Sequence, residues 1–403
     1  MVAQRFGAYV HIPFCIQRCG YCDFATYSQD QIAPNDDYVT TLLTEMKMRR
    51  PLFPFNELST IYFGGGTPSL LSPSQIERLI KGFFDLGLRP HKNIEITLEV
   101  NPATLSKAKC ESLKAAGVNR ISIGCQSFQD PFLKSCGREH SVKDTLHTVD
   151  LVQQHFANYS LDLLFALPQQ SLDDLYQDLE ILIQLAPPHV SAYCLTLKPG
   201  HPMSQGRPAD DVQVEMFDLV QARLATAGLV GYELSNFARP GFESRHNLLY
   251  WQDHSYWGVG LSAHSYLRNP DWGARFWNAS GYKAYMADMA NLSETSELHE
   301  SYSPGQFERL RLWESLTDFC HTQFRLTEGL SEASLHHKFP LPACDLVIIR
   351  LNKLEKRNLV AGKKGVWQLS RQGRLLSNQV FSELLFSPED IDKGLKGLIL
   401  SAH

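Results

Sequence analysis

The stretch YVHIPFCIQRCGYCDF (9–24) decides how the rest of the chain is read. AYVHI (8–12) reads as a strand, and Cys15, Cys19 and Cys22 follow it at C-x3-C-x2-C spacing. Thiolates are soft ligands for zinc and for iron–sulfur clusters. Structural zinc takes four closed ligands. Here a second ligand pair is missing, and His11 lies within the strand, an awkward place for a fourth ligand. A 4Fe-4S cubane held by three cysteines leaves one iron open to a small molecule that binds through oxygen and nitrogen. Phe14, Tyr21 and Phe24 would shield such a cluster from water. The spacing favours a cluster over zinc or structural cysteines.

The rest of the composition fits that reading. The nine cysteines are odd in number and lie in a chain of 403 residues, which argues against a disulfide framework. The other six are scattered among apolar or helical neighbours and read as small buried hydrophobes. A hydrophobic share of 43% supports a large core and excludes overall disorder. At that length two or three domains are expected. The net charge of −5 argues against a sequence-independent nucleic-acid binder, so no nucleic-acid partner is expected. No run approaches the ~20 apolar residues of a membrane span, and MVAQRFGAYVHIPF lacks the features of a secretory signal. The expectation is a soluble, cytoplasmic protein.

Strands and helices alternate through the first half. After AYVHI come STIYF (59–63), EITLEV (95–100), RISIG (120–124), YSLDLLF (159–165) and HVSAYCL (189–195). Helical periods lie between them, and polar or glycine-rich residues gather just after each strand. About six β/α units in series give a parallel sheet with right-handed crossovers. Chemistry at the strand ends is the habit of a β/α barrel. The fold class is therefore α/β, an incomplete parallel β/α barrel over 1–205. An α+β extension follows over 206–290, then a polar linker at 290–303 and a winged-helix-like region over 304–395. The basic residues Lys353, Lys356, Arg357, Lys363 and Lys364 of that region read as a solvated face, or as a lid for a flat macrocycle.

Three further motifs lie after the cysteines. Gly64-Gly65-Gly66-Thr67-Pro68 lets a backbone without Cβ atoms approach a ligand. Asp162, in LDLLF, is costly to bury unpaired, so a partner facing the barrel interior is expected. His246-Asn-Leu-Leu-Tyr250-Trp251 places an imidazole, a common axial ligand of heme iron, beside aromatic rings that suit a porphyrin; His254 and His264 are nearby competitors.

At the cysteine loop the chain resembles the radical S-adenosylmethionine (SAM) superfamily. YVHIPFC (9–15) and Cys22-Asp-Phe narrow the resemblance to the group of oxygen-independent coproporphyrinogen III dehydrogenases and heme chaperones. It implies a 4Fe-4S cluster on Cys15, Cys19 and Cys22, with SAM at the open iron. It also implies SAM contacts from Tyr9, Tyr21, Gly65, Gly66, Thr67, Glu99, Gln126, Arg138 and Asp162, with Arg138 paired to a carboxylate. His246, Tyr250 and Trp251 match the HNxxYW signature of the chaperone branch and become heme candidates. Arg275 and Asn278 (RFWN) match a C-terminal pattern of the group. DLLFALPQQ departs from the commoner D-L-x-x-G-L-P-G at Ala166 and Gln169.

The dehydrogenase pattern carries a further cysteine where Phe24 stands, and a long arm before its motif, where eight residues precede Tyr9 here. Both differences point to a heme chaperone that passes heme to an acceptor protein, a respiratory protein among the candidates. The alternative is the dehydrogenase, an enzyme that oxidatively decarboxylates coproporphyrinogen III propionates. A zinc-stabilised nucleic-acid adaptor is a third class.

Overall fold

The computed structural model describes residues 5–269, 271–293 and 306–391. Most of the polar stretch expected as a linker lies outside them. Six parallel strands form the centre of the molecule: β1 (Phe6–Ile12), β2 (Glu57–Gly65), β3 (Arg89–Val100), β4 (Arg120–Gln126), β5 (Tyr159–Phe165) and β6 (His189–Cys194). The helices between and after them are α1 (Asp36–Arg49), α2 (Pro73–Asp85), α3 (Lys107–Ala115), α4 (Asp130–Ser135), α5 (Val142–His155), α6 (Leu172–Gln184) and α7 (Asp210–Thr226).

Local sequence explains where the helices begin. Ser72 and Gln75 close a capping box on α2, with Pro73 in its first turn. Ser141 with Asp144 and Ser171 with Asp174 do the same for α5 and α6. Ile76, Leu79, Ile80 and Phe83 then fall on one face of α2, and all four are buried against the sheet.

The chain beyond α7 extends this sheet at both ends. β7 (Val230–Gly231) and β8 (Asn236–Ala238) add antiparallel strands beside β6. After α8 (Arg245–Trp251), β9 (Ser255–Val259) docks parallel to β1, pairing Phe6 with Ser255 and Val10 with Val259. β10 (His264–Leu267), β11 (Ala274–Trp277) and β12 (Phe307–Arg309) continue outward, antiparallel. The order is β12-β11-β10-β9-β1-β2-β3-β4-β5-β6-β8-β7.

A buried polar knot ties the added strands to α1. Glu45 accepts from Asn278 Nδ2 at 2.7 Å, from the Tyr285 hydroxyl at 2.7 Å and from the Gly260 amide at 2.8 Å, and it pairs with Arg49 at 2.6 Å. Asn278 therefore works inside the fold. Arg275 sits nearer the surface, paired with Glu308 and Asp318.

The last region has its own core, with Leu316, Phe319, Leu335, Val347, Leu351 and Trp367 among its members. Its helices are α10 (Leu312–Arg325), α11 (Glu332–Lys338) and α12 (Leu341–Lys356), while the preceding α9 (Tyr282–Ala290) packs on the main core through Tyr285 and Met289. A three-stranded sheet of β13 (Leu330–Ser331), β14 (Val360–Lys363) and β15 (Val366–Leu369) completes it. Its expected hairpin is present, turning at Lys364–Gly365.

Candidate functional site

Alternate residues of a strand share a face, and the register of the parallel strands gathers one row of polar side chains. Glu99 is opposite Ser122, and Asp162 is opposite Ser191. With Tyr62, Arg120 and Tyr193 they line a cavity of about 370 Å³ at the strand ends. Cys15, Cys19, Cys22, Tyr21, Gly65, Gly66, Thr67, Gln126 and Arg138 line the same cavity.

The hydrogen bonds give each group its setting. Glu99 accepts from the Tyr62 hydroxyl at 2.7 Å and from the Gly65 amide at 3.1 Å. Burial nevertheless pushes its carboxyl up to about 7, and the neighbouring Asp162 adds to the rise. Asp162 finds the partners it requires in the Ser122 hydroxyl, at 3.1 and 3.2 Å, and the Ser160 hydroxyl, at 3.1 Å. Arg138 donates to the Gly124 carbonyl at 2.7 Å, to Asn101 Oδ1 at 3.0 Å and to the Cys19 sulfur at 3.4 Å. Gln126 holds φ +67 at the end of β4, a left-handed conformation that costs energy in a residue other than glycine.

The cysteine loop supplies the donor type that a cluster takes. All nine cysteines are free thiols, and the three of the loop surround one cavity. Gly66 is a cradle: a Cβ there would meet the Phe14 carbonyl oxygen at 2.6 Å and Cys15 Sγ at 3.0 Å. Burial pushes the Cys15 thiol up to about 11, so metal binding there displaces a proton. Among the described residues, no three His, Cys, Asp or Glu side chains converge as the ligands of one ion would. The shielding expected of three aromatic rings is only partly realised. Phe14 is fully buried, but Phe24 is 66% exposed, because it stands at the mouth between this cavity and a second one.

That second cavity, about 590 Å³, is aromatic. Tyr250, Trp251, Tyr256 and Tyr266 line it, with Asp318, His321 and Thr322 of α10 on the far wall. Tyr9 faces this cavity instead of the first, its hydroxyl 3.0 Å from His11 Nδ1.

His246, a heme candidate in the sequence, does not line this cavity. It is buried, with Nδ1 2.7 Å from the Thr60 hydroxyl and Nε2 2.8 Å from the Tyr250 hydroxyl. Its ring also stacks on Tyr62. Both nitrogens are engaged, so in this arrangement His246 holds Tyr250 in place and offers no lone pair to iron. The basic residues expected as a lid are exposed and line neither cavity.

Tyr62, Arg120, Ser122 and Tyr193 escaped the sequence reading. Period-two alternation gives the signal for Ser122 and Arg120, which lie four and six residues before Gln126 on the same strand. Ala166 and Gln169 stand where the commoner pattern has glycine. These residues take φ +58 and +62, the left-handed conformation that the commoner glycines adopt freely.

The model of the Radical SAM superfamily matches residues 9–182. The chain is 34% identical to the heme chaperone HemW of Bacillus subtilis (strain 168), over 94% of this chain and 99% of the relative. It is 32% identical to the heme chaperone HemW of Escherichia coli (strain K12), over 94% and 97%. The solved coproporphyrinogen III oxidase HemN of Escherichia coli, a radical SAM enzyme, superposes with a TM-score of 0.79 at 22% identity, over 95% of this chain and 90% of that one. The last likeness establishes the common fold. The chain belongs to the HemW family of the radical SAM superfamily. Among the described residues no helix is long and apolar enough to cross a membrane.

Proposed function

We propose that the chain is a cytoplasmic heme chaperone, which binds heme in the aromatic cavity and passes it to an acceptor protein. A 4Fe-4S cluster on Cys15, Cys19 and Cys22 would, when bound, offer SAM an open iron and a source of one electron. Gly65, Gly66 and Thr67 would take the SAM amino group, and Arg138 its carboxylate. Glu99, Gln126 and Asp162 would orient the rest of the cosubstrate. Tyr21 would cover the cluster side.

The observation that carries this reading is the wall shared by the two cavities. Phe24 lines both, two residues after Cys22. A flat apolar macrocycle suits the aromatic cavity, whose volume lies within the usual range for ligand pockets, ~300–1,000 Å³. Phe24 also occupies the position of the additional cysteine of the dehydrogenase pattern. The test is anaerobic, with cluster-reconstituted protein, SAM and reductant. Heme should bind and transfer to an apo-hemoprotein, while coproporphyrinogen III should pass through unchanged. Vinyl-bearing product at a turnover rate would overturn the reading in favour of the enzyme.

A further inference from the structure

Three imidazoles line the aromatic cavity, and they differ in what their nitrogens do. His11 uses both, Nδ1 with the Tyr9 hydroxyl and Nε2 with the Ala25 carbonyl at 2.9 Å. His321 donates Nε2–H to the Phe381 carbonyl at 2.8 Å and packs on the Phe381 ring. His264, the first residue of β10, has an exposed side chain, and among the described residues neither ring nitrogen has a hydrogen-bond partner. Its plane is fixed all the same: the ring stacks on Trp277 with centroids 5.5 Å apart and planes inclined by 19°. A ring held by its face leaves both edges open.

The strand register explains how the ring comes to be there. His264 pairs with Trp277 across β10 and β11, and Tyr266 two residues on shares its face. Partial desolvation and the nearby Arg275 hold its pKa below the ordinary histidine value, which favours the neutral form that binds metal.

Resting on the heme-handling reading above, we infer that His264 is the protein ligand to the iron of heme in this cavity, with Tyr250, Tyr256 and Tyr266 against the macrocycle. The imidazole of the HNxxYW motif would then serve the site indirectly, by holding Tyr250.

The test is titration of the full, cluster-reconstituted chain with ferric heme, followed by Soret absorbance and by EPR of the heme iron. The parent should give an imidazole-ligated spectrum. His264→Ala should lose that signature and bind at least about tenfold more weakly, with iron and sulfide contents unchanged, and free imidazole should restore the spectrum. His264→Met should give a thioether-type spectrum. An unaltered Soret band and affinity in both variants would overturn the assignment, as would loss of the signature in His246→Ala alone. Failure of the parent to bind heme would instead remove the chaperone reading, and the assignment with it.

Discussion

Arg138 Nη1 lies 3.4 Å from Cys19 Sγ, while Nη2 of the same guanidinium is tied to Asn101 and Gly124. The cation is thus braced beside a cluster thiolate. A nearby positive charge favours the more negative, reduced state of a cluster. Arg138→Ala should lower the reduction potential by tens of millivolts and weaken SAM binding about tenfold or more, the worth of a lost charge-assisted hydrogen bond. Redox titration followed by EPR, with equilibrium SAM binding, checks both; if neither value moves, Arg138 has no such role.

Cys19→Ala should remove cluster and SAM affinity together, because two thiolates hold a cubane poorly. Gly66→Ala should also lose most of its cluster on anaerobic reconstitution, since its Cβ would sit 2.6 Å from the Phe14 carbonyl oxygen. Iron and labile-sulfide analysis reads both. Full occupancy in Gly66→Ala would mean that the loop yields more easily than its packing implies.

Glu99 gives a pH dependence with a defined sign. Its carboxyl ionises at 4.5 in an unperturbed setting and at about 7 in the fold. A raised value means that the fold is favoured while the group is protonated. That contribution is complete below about pH 4.5 and is lost by about pH 7. Glu99→Gln copies the neutral side chain. Between these limits the difference in unfolding free energy should move in favour of the variant by roughly 2–3 kcal/mol, then stay level. Denaturant titrations across the range would show a flat difference if burial did not penalise the charge.

His246→Ala should destabilise the chain by about 2–4 kcal/mol, through a cavity and two abandoned hydroxyls, those of Thr60 and Tyr250. A chemical-denaturation midpoint close to the parent's would contradict the buried role.

Gln169→Gly should stabilise by ~0.5–1 kcal/mol, since the residue is exposed and holds φ +62. Its backbone amide, which donates to the Gly206 carbonyl at 2.6 Å, is kept by the substitution. A fall in melting temperature would show that the side chain matters more than the backbone.

Much of this molecule can be read from its chain because its signals are local. The strand ends, the capping boxes at Ser141 and Ser171 and the three-cysteine loop each declare themselves within a few residues. What could not be read depends on distant partners. Thr60 meets His246 across 186 residues, and that contact turns a plausible iron ligand into an internal brace. The docking of Ser255–Val259 beside Phe6–Val10 has no local mark either. Nor does the hand of Phe24, which sequence places over the cluster and the fold places at an opening.

The pairing of Phe6 with Ser255 also bears on how the chain is made. On a ribosome that adds ~5–20 residues per second, the first strand waits roughly 12–50 s for the neighbour on its other edge. Throughout that time a hydrophobic strand edge lies bare, open to pairing with the wrong chain. Synthesis therefore contains a vulnerable interval that ends only when Ser255–Val259 emerges, and anything that stalls translation before residue 255 prolongs it.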